Sequence, residues 1–169
     1  MEKAKLIRRY LTEKGQLIMP GVYDAISAKI AARAGFEVIF ITGYSLSATL
    51  LGEPDFGLLT QTEVVNAAQR VCSVVETPVI VDADTGYGNA INVIRTVEDL
   101  LRAGAAGMFL EDQVWPKRCG HMKGKQVIPL DEHLKKLRAA VEARKDSDFF
   151  IVGRTDARQA LGLSEAITR

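Results

Sequence analysis

The sequence predicts an α/β protein built on a parallel sheet, and three observations carry that prediction. Apolar runs of about four to six residues, rich in Val, Ile and Phe, alternate with longer segments of helical period, the pattern of repeated βα units. Polar clusters follow the apolar runs directly, at Thr42-Gly43-Tyr44, Asp82-Ala83-Asp84, Glu111-Asp112 and Arg154-Thr155-Asp156. No linker, low-complexity stretch or block of like charge interrupts the chain, so residues 1–169 read as a single α/β domain.

Each element has its own local signal. Ala, Leu and charged residues from Glu2 to Lys14 make a leading helix that stops at Gly15. Leu17–Pro20 is a short apolar run, and Asp24 caps a segment with apolar residues at Ile26, Ile30 and Ala34, closed by Gly35. Glu37–Thr42 reads as a buried strand, Thr62–Val75 as a helix, and TPVIVDAD as a strand ending in acids. Asn92–Ala103 is a helix closed by Gly104, and AAGMFLED is again a strand ending in acids. Asp131–Arg144 is a helix, FFIVGRTDA a strand with a polar end, and Ser164–Arg169 the start of another helix. About five strands result, and in such folds chemistry collects at the carboxyl ends of strands, whether the sheet is open or closed into a barrel.

Composition narrows the function. Lys+Arg 22 against Asp+Glu 21 leaves a formal charge of +1, no general grip for nucleic acid. The longest apolar runs, such as Val38–Thr42 and Pro78–Val81, are too short to span a bilayer, so no membrane partner is expected. The opening MEKAKLIRRYLTEKG has no apolar h-region of a secretory signal, and two cysteines, Cys72 and Cys119, suit a reducing compartment; the expectation is a cytoplasmic protein. A complete (β/α)8 barrel needs more than about 200 residues, and the chain has 169.

The acids come first among the chemical constellations. Asp82 and Asp84, two apart on a strand, point to one face, near Glu111 and Asp112 of the next strand end. Gathered carboxylates repel one another and take up protons unless a hard divalent ion sits among them. On the other reading they cap the following helices or pair with Arg95, Lys117 or Arg154. Lys117-Arg118-Cys119-Gly120-His121 is the second group: cationic neighbours favour the thiolate, which makes Cys119 a candidate proton donor or nucleophile, against a basic surface turn that happens to hold a thiol. Cys72, within VCSVV, reads as inert core. Thr42-Gly43-Tyr44-Ser45 and Gly86–Gly88 could present backbone N–H groups to an anion, although neither is a nucleotide motif. His133 and the cations of DEHLKKL read as a solvated face.

Together these residues resemble the isocitrate lyase/phosphoenolpyruvate mutase superfamily, over nearly the whole chain from Pro20 onward. The markers are VDADTGYGN at Val81–Asn89, GAAGMFLEDQ at Gly104–Gln113, KRCGH at Lys117–His121 and GRTDA at Gly153–Ala157. KRCGH looks like the catalytic-cysteine loop of the lyase branches, which phosphoenolpyruvate mutases proper lack. VWPKRCGHMKGKQVIP and SLSATLLGEPDFGLL are most similar to the branch of 2,3-dimethylmalate lyase and petal death protein; methylisocitrate lyase is slightly further off. Bacterial relatives of this kind often carry the label carboxyvinyl-carboxyphosphonate phosphorylmutase.

The resemblance implies a (β/α)8 TIM-type barrel, of which this chain covers the N-terminal part: a leading helix and about the first five βα units. It implies Mg²⁺, with Mn²⁺ as substitute, contacted directly by Asp84, with Asp82, Glu111 and Asp55 nearby or bridging through water. Cys119 becomes the acid/base on a mobile gating loop, with Lys117 and His121 tuning it; Thr42, Gly43 and Tyr44 hold the substrate's 1-carboxylate, and Arg154, Gly120 and His121 contact the substrate. The implied partner is a small 2-hydroxy or keto acid, and the implied assembly a homo-oligomer, tetrameric in the family. The expected activity is Mg²⁺-dependent carbon–carbon cleavage of a 2-hydroxy di- or tricarboxylate such as methylisocitrate, isocitrate or dimethylmalate, releasing pyruvate or glyoxylate. Phosphorylmutase or phosphonate chemistry, or oxaloacetate hydrolysis, on the same enolate platform is the alternative. A truncated or inactive fragment with a structural role is the third reading.

Overall fold

A computed structural model describes residues 2–169. Helix α1 (Glu2–Lys14) leads into five βα units: β1 (Gly21–Val22) and α2 (Ala25–Arg33); β2 (Ile39–Ile41) with α3 (Gly43–Leu50) and α4 (Gln61–Cys72); β3 (Val79–Asp82) and α5 (Ala90–Arg102); β4 (Gly107–Glu111) and α6 (Leu130–Ala143); and β5 (Phe150–Arg154) with α7 (Ala157–Ala160) and α8 (Leu163–Thr168). All neighbouring strands are parallel and their order is sequential, β1-β2-β3-β4-β5. Sequential order is the winding of a barrel; a doubly wound sheet would reverse at a switch point.

Strand alternation sorts the side chains onto two faces. Ile39, Ile41, Val79, Val81, Met108 and Leu110 point outward and pack under the helices against Val64, Val71, Val93, Val97 and Leu100. Truncating a fully buried residue such as Leu100 to Ala costs about 2–5 kcal/mol. Ile80 faces the inner side, packed with Phe40, Phe109 and Phe150, and there α1 lays Ala4 and Ile7 beside Val38 and Ala106, closing the amino-terminal end. Two residues further along the inner face stand Thr42, Asp82 and Glu111, and Arg154 of β5 pairs in register with Glu111. The alternation that turns the phenylalanines to the inner face therefore also assembles the polar rim.

Reciprocal caps fix where the helices start. Asp24 and Ser27 close α2, Thr60 and Glu63 close α4, and Asn89 and Asn92 close α5; losing such a cap costs about 1 kcal/mol. Gly107 has no room for a side chain: a Cβ there would stand 2.3 Å from the Phe150 carbonyl oxygen. Three expectations need correction. Ile26 and Ile30 are 70% and 63% exposed, and α2, beside the edge strand β1, faces the core with Ala28 and Ala31 instead. His133 and the Lys136 of DEHLKKL are buried, since α6 turns His133, Lys136, Ala139, Ala140 and Ala143 inward; Lys136 Nζ donates to the Thr85 carbonyl at 3.2 Å. The stretch after Thr42, expected as a turn, is helix α3 with Thr42 as its N-cap.

Candidate active site

The rim at the carboxyl ends of β2–β5 is buried and dense in charge. Asp82 organises it: one carboxylate oxygen accepts the Asp84 N–H at 3.1 Å and the other the Gly43 N–H at 3.4 Å. Asp84 is thereby held in the left-handed region, at φ 48°, a conformation that a short polar side chain tolerates. A Cβ on Gly43 would lie 3.3 Å from oxygens of both Asp82 and Asp84, so glycine lets the start of α3 approach the two acids.

Lys117 enters from the loop after β4. Its Nζ lies 2.6 Å from Asp55 Oδ2 and 2.8 Å from Asp84 Oδ1, and both pairs are sequestered from solvent. Burial works against the charge of Lys117, but Asp84, Asp82 and Asp55 outweigh it and hold the ammonium above its ordinary pKa. Burial and then the charge of Asp82 push Asp84 up to about 7, with Lys117 opposing. Burial likewise pushes Glu111 up to about 8, although Arg154 Nη1 sits 3.1 Å from Glu111 Oε2. The pairing of these acids with Lys117 and Arg154, one of the two readings of the sequence, is therefore realised; Arg95 instead pairs with Asp99 on α5.

The thiol loop folds over this cluster. The Cys119 N–H donates to the Asp55 carbonyl at 2.9 Å, the Cys119 side chain is buried, and its Sγ lies 3.6 Å from His121 Nδ1. Lys117 is thus committed to the carboxylates, and the ring of His121 is the polar neighbour that touches the thiol. Gly120 passes so close to Arg154 that a Cβ would stand 2.6 Å from Nη2. Thr42 and Gly43 begin α3, the Thr42 hydroxyl accepting the Ser45 N–H and Asp82 the Gly43 N–H, and the Tyr44 ring is exposed. Cys72 lies at the end of α4, away from the rim, and burial pushes its thiol up to about 11, the inert role expected of it.

The donor chemistry fits a hard divalent ion. Asp84 Oδ1 and Glu111 Oε1 are buried and accept no hydrogen bond, Lys117 standing beside the first only as an ion pair. Raised carboxyl pKa values are the mark of anions waiting for a cation. Among the described residues no group of three or more His, Cys, Asp or Glu side chains is placed to hold a metal ion. A hard ion such as Mg²⁺ uses one or two carboxylates and completes its shell with water and substrate oxygens.

Several residues around the rim were not expected from sequence. Tyr87, at φ 61°, buries its phenol beside the acids, and burial, then Asp84 and Asp82, push its pKa up; its ring meets Trp115 edge to face. Gln113, Lys125 and Asp156 brace the thiol loop. Asp112 turns away from the rim, fully buried, accepting from Thr155 Oγ1, the Asp156 N–H and Arg169. The sequence signal for Gln113 and Asp156 lay in their places at strand ends; Lys125 gave none.

Carboxylates, a cation and a thiol loop at the carboxyl ends of the strands of a βα barrel segment stand where barrel enzymes place their active sites. Comparison with known proteins gives the class. The family model described as Phosphoenolpyruvate phosphomutase matches residues 7–169, and the chain belongs to the PEP mutase/isocitrate lyase superfamily. It is 58% identical over 165 residues to "Carboxyvinyl-carboxyphosphonate phosphorylmutase, chloroplastic" of Arabidopsis thaliana, covering 95% of this chain and 49% of the relative. It is 47% identical over 169 residues to 2,3-dimethylmalate lyase of Eubacterium barkeri, covering 100% of this chain and 58% of that one. Solved structures agree. Oxaloacetate acetylhydrolase with 3,3-difluorooxalacetate superposes with a TM-score of 0.93 at 43% identity, over 98% of this chain and 58% of that chain. Phosphonopyruvate hydrolase, solved with oxalate and Mg++, superposes with a TM-score of 0.88 at 32% identity, over 99% and 58%. The chain spans about half the length of the curated relatives it matches. Among the described residues no helix is long and apolar enough to cross a membrane.

Proposed function

We propose that this chain supplies the metal-binding and proton-donating half of a carbon–carbon lyase that cleaves a small 2-hydroxy di- or tricarboxylate into a keto acid and a second carboxylic acid. The observation that carries the reading is the buried thiol of Cys119, 3.6 Å from His121, on a loop pinned through Lys117 to the acid cluster. Mg²⁺, held by Asp84 with Asp82, Glu111 and Asp55 around it, would supply charge stabilisation at the substrate's hydroxyl and carboxylate.

The chain's own groups account for the rest. The N–H groups at the start of α3, with Thr42 and Tyr44, bind the carboxylate next to the hydroxyl. Arg154, facing Gly120, takes a distal carboxylate. As the C–C bond breaks, the hydroxyl gives its proton to a rim carboxylate such as Glu111, whose Oε1 accepts no other hydrogen bond. The hydroxyl carbon becomes the keto carbon, and the electron pair of the broken bond stays on the departing fragment. Cys119 Sγ gives its proton to that fragment, and His121 Nδ1 holds the thiolate left behind. Lys117 stands between Asp55 and Asp84 as their shared countercharge.

A phosphonate or oxaloacetate reaction on the same rim is the second reading, since neighbours of high similarity bear those names. The thiol favours the lyase: a migrating phosphoryl group needs no proton donor there. The test is product release with Mg²⁺: keto acid from methylisocitrate, isocitrate and dimethylmalate, oxalate from oxaloacetate, and pyruvate with phosphate from phosphonopyruvate. Release from a hydroxy acid supports the lyase; release from only the last two replaces it with the second reading.

A further inference from the structure

We propose that Gln113, Lys125 and Asp156 form a latch that holds the Cys119 thiol and the Arg154 guanidinium in one arrangement. The three act as positioning residues, and their catalytic meaning rests on the lyase reading above. Gln113 is 1% exposed and grips Arg118, the residue before the cysteine, by both backbone groups. Its Oε1 accepts the Arg118 N–H at 3.0 Å, and its Nε2 donates to the Arg118 carbonyl at 2.9 Å. On the other side of the cysteine, Lys125 Nζ donates to the Gly120 carbonyl.

Both side chains converge on one carboxylate. Gln113 Nε2 donates to Asp156 Oδ2 at 3.1 Å, and Lys125 Nζ lies 3.2 Å from Asp156 Oδ1. Asp156 also pairs with Arg154 Nη2 at 3.0 Å, and its N–H is fixed by Asp112 Oδ1 at 2.9 Å. The peptides flanking Cys119 are therefore tied through buried groups to the acid that aims Arg154.

Two physical features make this a latch. An amide that reads both the N–H and the C=O of one residue is satisfied in a single register. The Lys125 and Asp156 side chains are 6% and 9% exposed, so lifting the loop would separate a buried ion pair. The loop thus has one favoured seat, and leaving it disturbs Arg154 as well. Thiol and guanidinium would be set together.

Alkylation of the 169-residue chain with iodoacetamide, followed by peptide mapping, tests this without any turnover. Cys72 serves as an internal control for general unfolding. Lys125→Met and Gln113→Leu should each speed Cys119 labelling at least about tenfold, the loss expected for a charged or doubly bonded anchor, with Cys72 unchanged. Lys125→Arg, which keeps a donor, should stay within about twofold of the wild type. Cys119 labelling at the wild-type rate in both Met and Leu variants would overturn the latch. If both cysteines accelerate together, the double variant Lys125→Met/Asp156→Asn, which leaves neither member of that ion pair charged, decides. Acceleration of Cys119 alone then supports the latch, and any other pattern overturns it. A failed latch leaves the lyase reading intact; a panel of acids with no keto acid released, beside a normal latch, overturns only the lyase.

Discussion

Lys117 and Asp84 form an ion pair of 2.8 Å that is almost wholly closed to solvent, with Asp55 on the other side of the same ammonium. The lysine is the internal countercharge of an acid cluster that would otherwise repel itself. Lys117→Met removes that charge and leaves buried carboxylates unpaired, a change that costs about 3 kcal/mol. Thermal melting without divalent ion should show the loss, and saturating Mg²⁺ should recover part of it. An unchanged melting temperature would mean the cluster is neutral without the lysine.

The raised carboxyls set a pH dependence. Asp84 at about 7 and Glu111 at about 8 lie above ordinary carboxylates, so the folded metal-free chain binds more protons than the unfolded one across that window. Their contribution to stability is full below the unfolded values and is lost as pH rises through 7 and 8. An ion competes with those protons, so Mg²⁺ affinity should rise from about pH 6.5 to about pH 8.5, with protons released on binding. Titration calorimetry in two buffers of different ionisation enthalpy measures both quantities; affinity flat across the range contradicts the assignment.

Gly120 gives a steric prediction. A methyl group placed 2.6 Å from Arg154 Nη2 must push the guanidinium off Glu111 and Asp156. Gly120→Ala should raise KM for a di- or tricarboxylate about tenfold, the loss of one charged hydrogen bond. An unaltered KM would remove Arg154 from substrate binding.

Much of this arrangement was legible in the sequence because strand alternation is a local property. The pattern that makes Ile39, Ile41, Val79 and Val81 core also sends Thr42, Asp82 and Glu111 to one rim, and Asp24 announced its helix by its side chain. What escaped depends on partners far along the chain. Lys117 looked like a neighbour of Cys119, yet its side chain crosses to Asp55, sixty-two positions earlier. His133 and Lys136 looked solvated because their burial is set by α6 packing down with its alanines. Ile26 and Ile30 carried an apolar helical pattern, but only the sheet order shows α2 at an edge. Lys125 is unremarkable in sequence, and the partners of Gln113 on the loop exist only once the loop is seated.

The central claim is that the Cys119 thiol is the acid that quenches the departing carbon. Cys119→Ser replaces it with a far weaker acid of similar size, and general acid catalysis is worth about 10²- to 10⁴-fold. With the cleaved hydroxy acid as substrate in D₂O, the chain should release keto acid together with a partner fragment carrying one deuterium at the broken bond. The Cys119→Ser variant should lose kcat by that factor while KM, set by the carboxylate-binding residues, changes little. Keto acid released by the variant at the wild-type rate would contradict the account and reduce KRCGH to a substrate-binding loop.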